Sequence, residues 1–133
     1  MQAQLDQAEF AYLLHTMGAK AVVGVNNRQF FPEEPTRRDS LLTTGFAKLK
    51  ENGWLVPTDE GIQSNGRLLL LSAIIASPSL VLTVTQLTED KRQRTVNYYQ
   101  AGNLRGEQFE AEYGRYAVSQ LPKTADLPNS FAL

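Results

Sequence analysis

The chain has 133 residues, 42% apolar and 20% charged, enough apolar surface to offset ordering entropy, which excludes a compositionally disordered segment. Its 13 basic and 14 acidic side chains leave a net charge of -1, which argues against a protein that lives on nucleic acid and needs a basic face. With no cysteine, disulfides and thiolate metal ligands are excluded, and at this length one core over 1–133 is the expectation.

Residues 1–6 lack the basic start and apolar run of a secretion signal, and no Asn-x-Ser/Thr acceptor occurs, so a cytoplasmic location is expected. Asp6 and Glu9 then form a capping box, with Leu5 and Phe10 at the two positions of a hydrophobic staple. Phe10, Leu13, Leu14 and Met17 recur at helical spacing, and Gly18 stands just past the end. The β-branched run Ala21-Val22-Val23-Gly24-Val25 predicts a brief strand, followed by a loop through Asn26, Asn27, Pro32 and Pro35.

A second helix is expected from Thr36, capped with Asp39, carrying Leu42, Phe46 and Leu49 on one stripe before Asn52-Gly53 ends it. Thr58 and Asp59 are candidate caps for a third helix that passes Gly61, Asn65 and Gly66 to reach 68–75, its first half open to loop or turn. Pro78 closes it, because the residue before a proline avoids helical backbone. The apolar run 68–76 spans nine residues, far short of the roughly 20 a membrane helix requires, so no membrane partner is expected.

After Ser79 the period changes to two. Leu80, Leu82 and Val84 alternate with Val81, Thr83 and Thr85, and Glu89-Asp90 sits where a hairpin turn belongs. Thr95-Val96-Asn97-Tyr98-Tyr99 is the partner strand, and Ala101-Gly102-Asn103 the next turn. Phe109, Ala111 and Tyr113 mark a third strand, and Gly114-Arg115 leads to a fourth over 116–121. The expected fold is therefore α+β, with N-terminal helices over about 6–77 packed on a C-terminal antiparallel meander over about 79–121 and a tail over 122–133.

Chemistry-bearing patterns are sparse, and the sequence predicts a protein that is not an enzyme, with no catalytic residue, metal or cofactor. His15 is the one histidine, which excludes a histidine cluster, and it lies beside the apolar stripe of the first helix, where its ring packs on a neighbour. The segment Gly61-Ile62-Gln63-Ser64-Asn65-Gly66 resembles a phosphate loop until Arg67-Leu68 stand where Lys and Ser/Thr are needed. The acidic pairs Glu33-Glu34, Asp59-Glu60 and Glu89-Asp90 are adjacent and do not converge, and Glu110 and Glu112 read as a solvated strand face.

The run Lys91-Arg92-Gln93-Arg94 near Tyr98 and Tyr99 could stack single-stranded nucleic acid, but three charges beside a hairpin turn more often discourage edge association. A winged-helix DNA-binding regulator is the alternative function, since 41–53 followed by Trp54-Leu55-Val56-Pro57 resembles a helix-turn-helix unit leading to a wing. Arg37, Arg38, Lys48 and Lys50 would then meet phosphates, partly balanced by Asp39 and Glu51. The presumed wing leads to an apolar run instead of a basic hairpin.

The succession 45–56, then Asp59 and Ile62, then 68–76 with Ser77-Pro78-Ser79-Leu80-Val81-Leu82, is similar to the N-terminal half of the ESX secretion-associated chaperones of the EspG type. Ala76-Ser77-Pro78 stands where that family closes a helix in Ala-x-Pro before a strand, and the upstream helix with Phe10, Leu13 and Leu14 also fits. The similarity covers roughly residues 5–100. It implies a non-enzymatic cytosolic chaperone that binds a helical PE-PPE substrate of type VII secretion, with a central sheet flanked by helices. The chain is about half the usual family length, so either a second half is missing or a half-size relative pairs with itself as a homodimer to complete a sheet. The partner is then a protein, engaged through a helical or strand segment, and Tyr98, Tyr99, Phe109, Tyr113 and Tyr116 are the candidate partner-binding residues, because aromatics favour interface hot spots.

Overall fold

A computed structural model describes residues 1–87 and 89–122. In chain order the elements are β1 (Gln2–Asp6), α1 (Gln7–Thr16), α2 (Asn27–Phe30), α3 (Pro35–Glu51), β2 (Leu55–Thr58), β3 (Gly61–Ser64) and α4 (Gly66–Ala76). Four strands follow, β4 (Leu80–Leu87), β5 (Gln93–Ala101), β6 (Leu104–Glu112) and β7 (Arg115–Leu121). The α+β expectation holds: the helices precede β4 to β7, which with β1 form a five-stranded antiparallel sheet ordered β1-β7-β6-β5-β4.

The capping box forms as its spacing predicts. Asp6 Oδ1 accepts the Glu9 amide at 2.8 Å, and Glu9 Oε1 accepts the Asp6 amide at 3.1 Å. Glu9 is nearly fully buried, and its second oxygen accepts from Asn52 Nδ2 at 3.0 Å, which ties the start of α1 to the end of α3. The two helices meet at Gly45, where a Cβ would lie 2.1 Å from the Ala8 carbonyl oxygen, so no other residue fits without moving a backbone.

Phe10, Leu13 and Leu14 of α1 are buried, and Phe10 packs edge-on to Phe30 with ring centroids 5.5 Å apart. α4 is capped by Asn65, whose side chain accepts from the amides of Arg67 and Leu68 at 3.1 Å. Its Leu68, Leu71, Ile74 and Ile75 are buried, and Gly106 of β6 faces Leu71 and Ile74. The main core thus lies between the helices and one face of the sheet, where Tyr99, Tyr116, Val118, Ala3 and Leu5 point.

Several local expectations are corrected. Residues 21–25 are not a strand, and 23–25 form turn and bend: Gly24 takes φ +95°, and the carbonyls of Val23 and Gly24 accept from the side chains of Tyr99 and Asn97 instead of a strand neighbour. The stretch offered as the first half of a third helix is the hairpin β2–β3, with Asp59-Glu60 at its tip. The loop expected through Asn26, Asn27, Pro32 and Pro35 contains the short helix α2, capped by Asn26, and the helix expected from Thr36 is α3, which starts at Pro35, ideal at a first helical position, without a side-chain cap.

The largest addition is β1. It pairs with β7 from Gln2↔Ser119 to Asp6↔Arg115, so the sheet begins before the first helix as well as ending the described chain. Most of the tail expected over 122–133 lies outside the described residues, which stop at Pro122.

Candidate functional site

Backbone alternation decides which sheet residues share a face. Val81 pairs with Tyr99 and Tyr99 with Gly106, which faces α4, so these mark the helix-covered side. One residue along, Leu82 pairs with Tyr98 and Tyr98 with Glu107, while Val84 pairs with Val96, Val96 with Phe109 and Phe109 with Ala117. These occupy the opposite face. Val96, Tyr98 and Ala117 are buried there, yet none belongs to the main core cluster. Leu82, Val84 and Phe109 are half-buried, and Leu80, on the same face, is 51% exposed.

The five candidate aromatics are therefore divided among three environments. Tyr98 and Phe109 lie on the far face, where the Arg94 guanidinium stacks over the Phe109 ring at 4.6 Å. Tyr99 and Tyr116 point to the helices: Tyr99 is 1% exposed, and Tyr116 packs on Phe30 with centroids 5.2 Å apart. Tyr113, in the turn after β6, is 96% exposed. Only Tyr98 and Phe109 share a surface.

Burial sets the ionisation of these phenols. It pushes the Tyr99 hydroxyl well above the ordinary tyrosine range. Burial, then a hydrogen bond and the negative charge of Glu110, push Tyr116 up to about 12. Tyr98 is raised by burial first, then by the charge and hydrogen bond of Glu107. Each phenol is thereby held in its neutral form.

A buried polar network lies under the loop between α1 and α2, and no residue pattern in the sequence marks it. Asn97 Nδ2 donates to Gln108 Oε1 at 3.1 Å and to the Gly24 carbonyl at 3.3 Å, and Asn97 Oδ1 accepts from Thr83 at 2.8 Å. The Tyr99 hydroxyl donates to the Val23 carbonyl at 2.6 Å and lies 3.3 Å from Gln108 Oε1. A Cβ on Gly24 would sit 2.6 Å from Asn97, so the loop descends there because glycine has none. Amides, hydroxyls and carbonyls arranged like this satisfy one another and hold a loop. A polar cavity of about 360 Å³ lies beside them, lined also by Glu110 and Tyr116.

His15 behaves as its position predicts. Its ring lies 4.6 Å from that of Phe31, and Nε2 is 2.9 Å from the Phe30 carbonyl. A cleft of about 690 Å³ between α2 and the start of α3 mixes Lys20, Arg28 and Arg37 with Glu33 and Glu34, all exposed. Among the described residues no three His, Asp or Glu side chains are grouped as metal ligands, and no helix is long and apolar enough to cross a membrane.

No protein-family model matches the chain, and no curated protein matches it. The surface that stands out is β4 and the apolar row beside it. β4 reads Leu-Val-Leu-Thr-Val-Thr-Gln-Leu, without a charge, and forms one margin of the sheet.

Proposed function

We propose that the chain is a non-enzymatic protein-binding domain that takes the apolar side of an amphipathic helix from another polypeptide onto the far face of its sheet. The observation that carries this reading is the row Leu80, Leu82, Val84 and Phe109, solvent-accessible apolar side chains on the face opposite the helical layer. A sheet face accepts a helix by burying its apolar stripe, and shielding such a stripe is what an escort does. The similarity to the ESX secretion-associated chaperones points to the same class of partner, a helical substrate held in the cytoplasm. Arg94 and Arg105 on this face, with Glu107 between them in the ladder, give the row a charged rim suited to the polar flanks of such a helix.

The DNA-binding alternative has one feature in its favour, a hairpin directly after α3 in the place of a wing. That hairpin carries Asp59 and Glu60 at its tip and no lysine or arginine, which repels phosphate instead of neutralising it.

The two readings separate in one titration. A fluorescent amphipathic helical peptide with a leucine stripe is expected to bind saturably, with affinity little changed between roughly 0.05 and 0.5 M salt because apolar burial supports it. Leu82→Glu combined with Phe109→Glu abolishes that binding, with circular dichroism confirming the fold. A DNA duplex is expected to show no tight binding at physiological salt. Tight, steeply salt-dependent duplex binding that disappears on replacing Arg37 and Arg38 overturns the escort reading in favour of a regulator.

A further inference from the structure

The edge of the sheet carries an inference separate from its face. Edge strands present unpaired backbone donors and acceptors, and proteins that stay monomeric blunt them with lysine, proline, bulges or short length. β4 has none of these: eight residues, no charge, no proline, and an unshifted register against β5 from Leu80↔Gln100 to Leu87↔Gln93. β1, at the other margin, has five residues and ends on Asp6, which is engaged as the cap of α1. The end positions of β4 are also its most exposed apolar residues, Leu80 at 51% and Leu87 at 72%.

We propose that two copies of this chain join through β4, antiparallel about a two-fold axis at Val84, into one continuous ten-stranded sheet. The occupant is a second copy because β4 is complementary to itself. Antiparallel pairing about Val84 sets Val84 against its own counterpart, Thr83 against Thr85, Leu82 against Gln86 and Val81 against Leu87. No charge meets a charge, Thr–Thr and apolar pairs are favourable cross-strand neighbours, and Leu87 gains an apolar contact.

This register keeps faces matched. The axis stands perpendicular to the sheet, both helical layers fall on the same side, and the far-face row Ala117, Phe109, Val96 and Val84 continues into the same row of the second copy. The charged turn residues Glu89, Asp90, Lys91 and Arg92 lie beyond the ladder, near the partner's uncharged approach through Ser77, Pro78 and Ser79. An interface made mostly of one strand pair falls at the small end of specific contacts, so the dimer dissociates at about micromolar concentration.

The absence of cysteine makes the test clean. Val84→Cys under mild oxidation is expected to give a covalent dimer rapidly, whereas Tyr113→Cys, fully exposed but far from the edge, does not. Sedimentation of the unmodified chain over roughly 1 to 200 μM is expected to show a monomer–dimer equilibrium. Thr85→Lys, at an exposed position, shifts it at least tenfold towards monomer with an unchanged thermal transition. A chain that stays monomeric across this range, or cross-linking no faster at 84 than at 113, overturns the proposal. The inference does not rest on the escort reading: a monomer that binds the helical peptide sinks this proposal alone, and a β4-linked dimer that binds no peptide sinks only the other.

Discussion

Tyr99 and Tyr116 show what a single buried group does for the fold. Each hydroxyl is held in its neutral form by burial, with Glu110 adding to the effect at Tyr116, where the value rises to about 12. The unfolded chain releases these protons near pH 10, the ordinary tyrosine value, while the folded chain retains them to higher pH. Above pH 10 the unfolded state therefore binds fewer protons than the native state, and stability falls as pH rises. The contribution is complete below pH 10 and is lost as pH climbs through the folded-state values. The expected outcome is a melting temperature that drops steeply above about pH 10, with phenolate absorbance near 295 nm showing a fraction of the tyrosines ionising only together with unfolding. Tyr116→Phe removes one of the three raised phenols, the others being Tyr98 and Tyr99, and flattens that drop. An equally steep fall in this variant would mean that burial of Tyr116 is not maintained in solution.

Element by element, the start of α1 and the close of α4 were legible, whereas the starts of α3 and α4 and the sheet context were not. The α1 capping box needs residues only three apart, and the stop at Pro78 needs one, so local chemistry fixed both. The turns at Glu89-Asp90 and Gly102-Asn103 were legible for the same reason. Residues 21–25 have strand composition, but a strand needs a neighbour, and here Tyr99 and Asn97 take the backbone carbonyls. The network of Thr83, Asn97 and Gln108 was hidden because only the β4–β5–β6 register reveals that these polar residues share the covered face. The candidate aromatics failed to form one surface for a related reason: Tyr98 and Tyr99 are neighbours in sequence and opposites across the sheet. At α1 the relative weight of two interactions of Asp6 can be tested. Its side chain caps the helix at 2.8 Å and pairs with Lys48 Nζ at 2.6 Å, raising the Lys48 pKa mainly through that hydrogen bond and charge. Lys48 is about half exposed, so the ion pair contributes ~0–1 kcal/mol, whereas a lost cap costs ~1–2 kcal/mol. Asp6→Asn should cost little, Asp6→Ala clearly more, and Lys48→Met no more than Asp6→Asn, all read by urea denaturation.

For the whole molecule, the pairing of β1 with β7 brings residues 2–6 against 115–119 and closes the described chain on itself. Such a pairing is expensive in chain entropy until the rest of the sheet exists, so it is expected to form late in folding. Its stabilising value is nevertheless large. Ala3 and Leu5 are both almost fully buried in the main core, beside Tyr116 and Val118, and burying a leucine alone contributes ~1.5–3 kcal/mol. The hairpin β2–β3 is the opposite case: contiguous in sequence, with Val56 and Ile62 about half exposed and Leu55 its one residue in the core cluster. Removing residues 1–5 is expected to abolish most of the ~5–15 kcal/mol that a domain of this kind has in reserve, leaving a broad, weakly cooperative transition. Replacing 56–63 with a short glycine-rich link, which keeps Leu55, is expected to cost no more than ~1–2 kcal/mol, since half-exposed side chains give up little burial. Denaturant unfolding followed by circular dichroism and tryptophan fluorescence compares the two directly, with Trp54 reporting from the base of the hairpin. A chain that tolerates loss of β1 but unfolds on loss of the hairpin would place the centre of stability among the helices and not in the sheet, and the β4 edge would then be built on a weaker platform than the five-stranded ladder supplies.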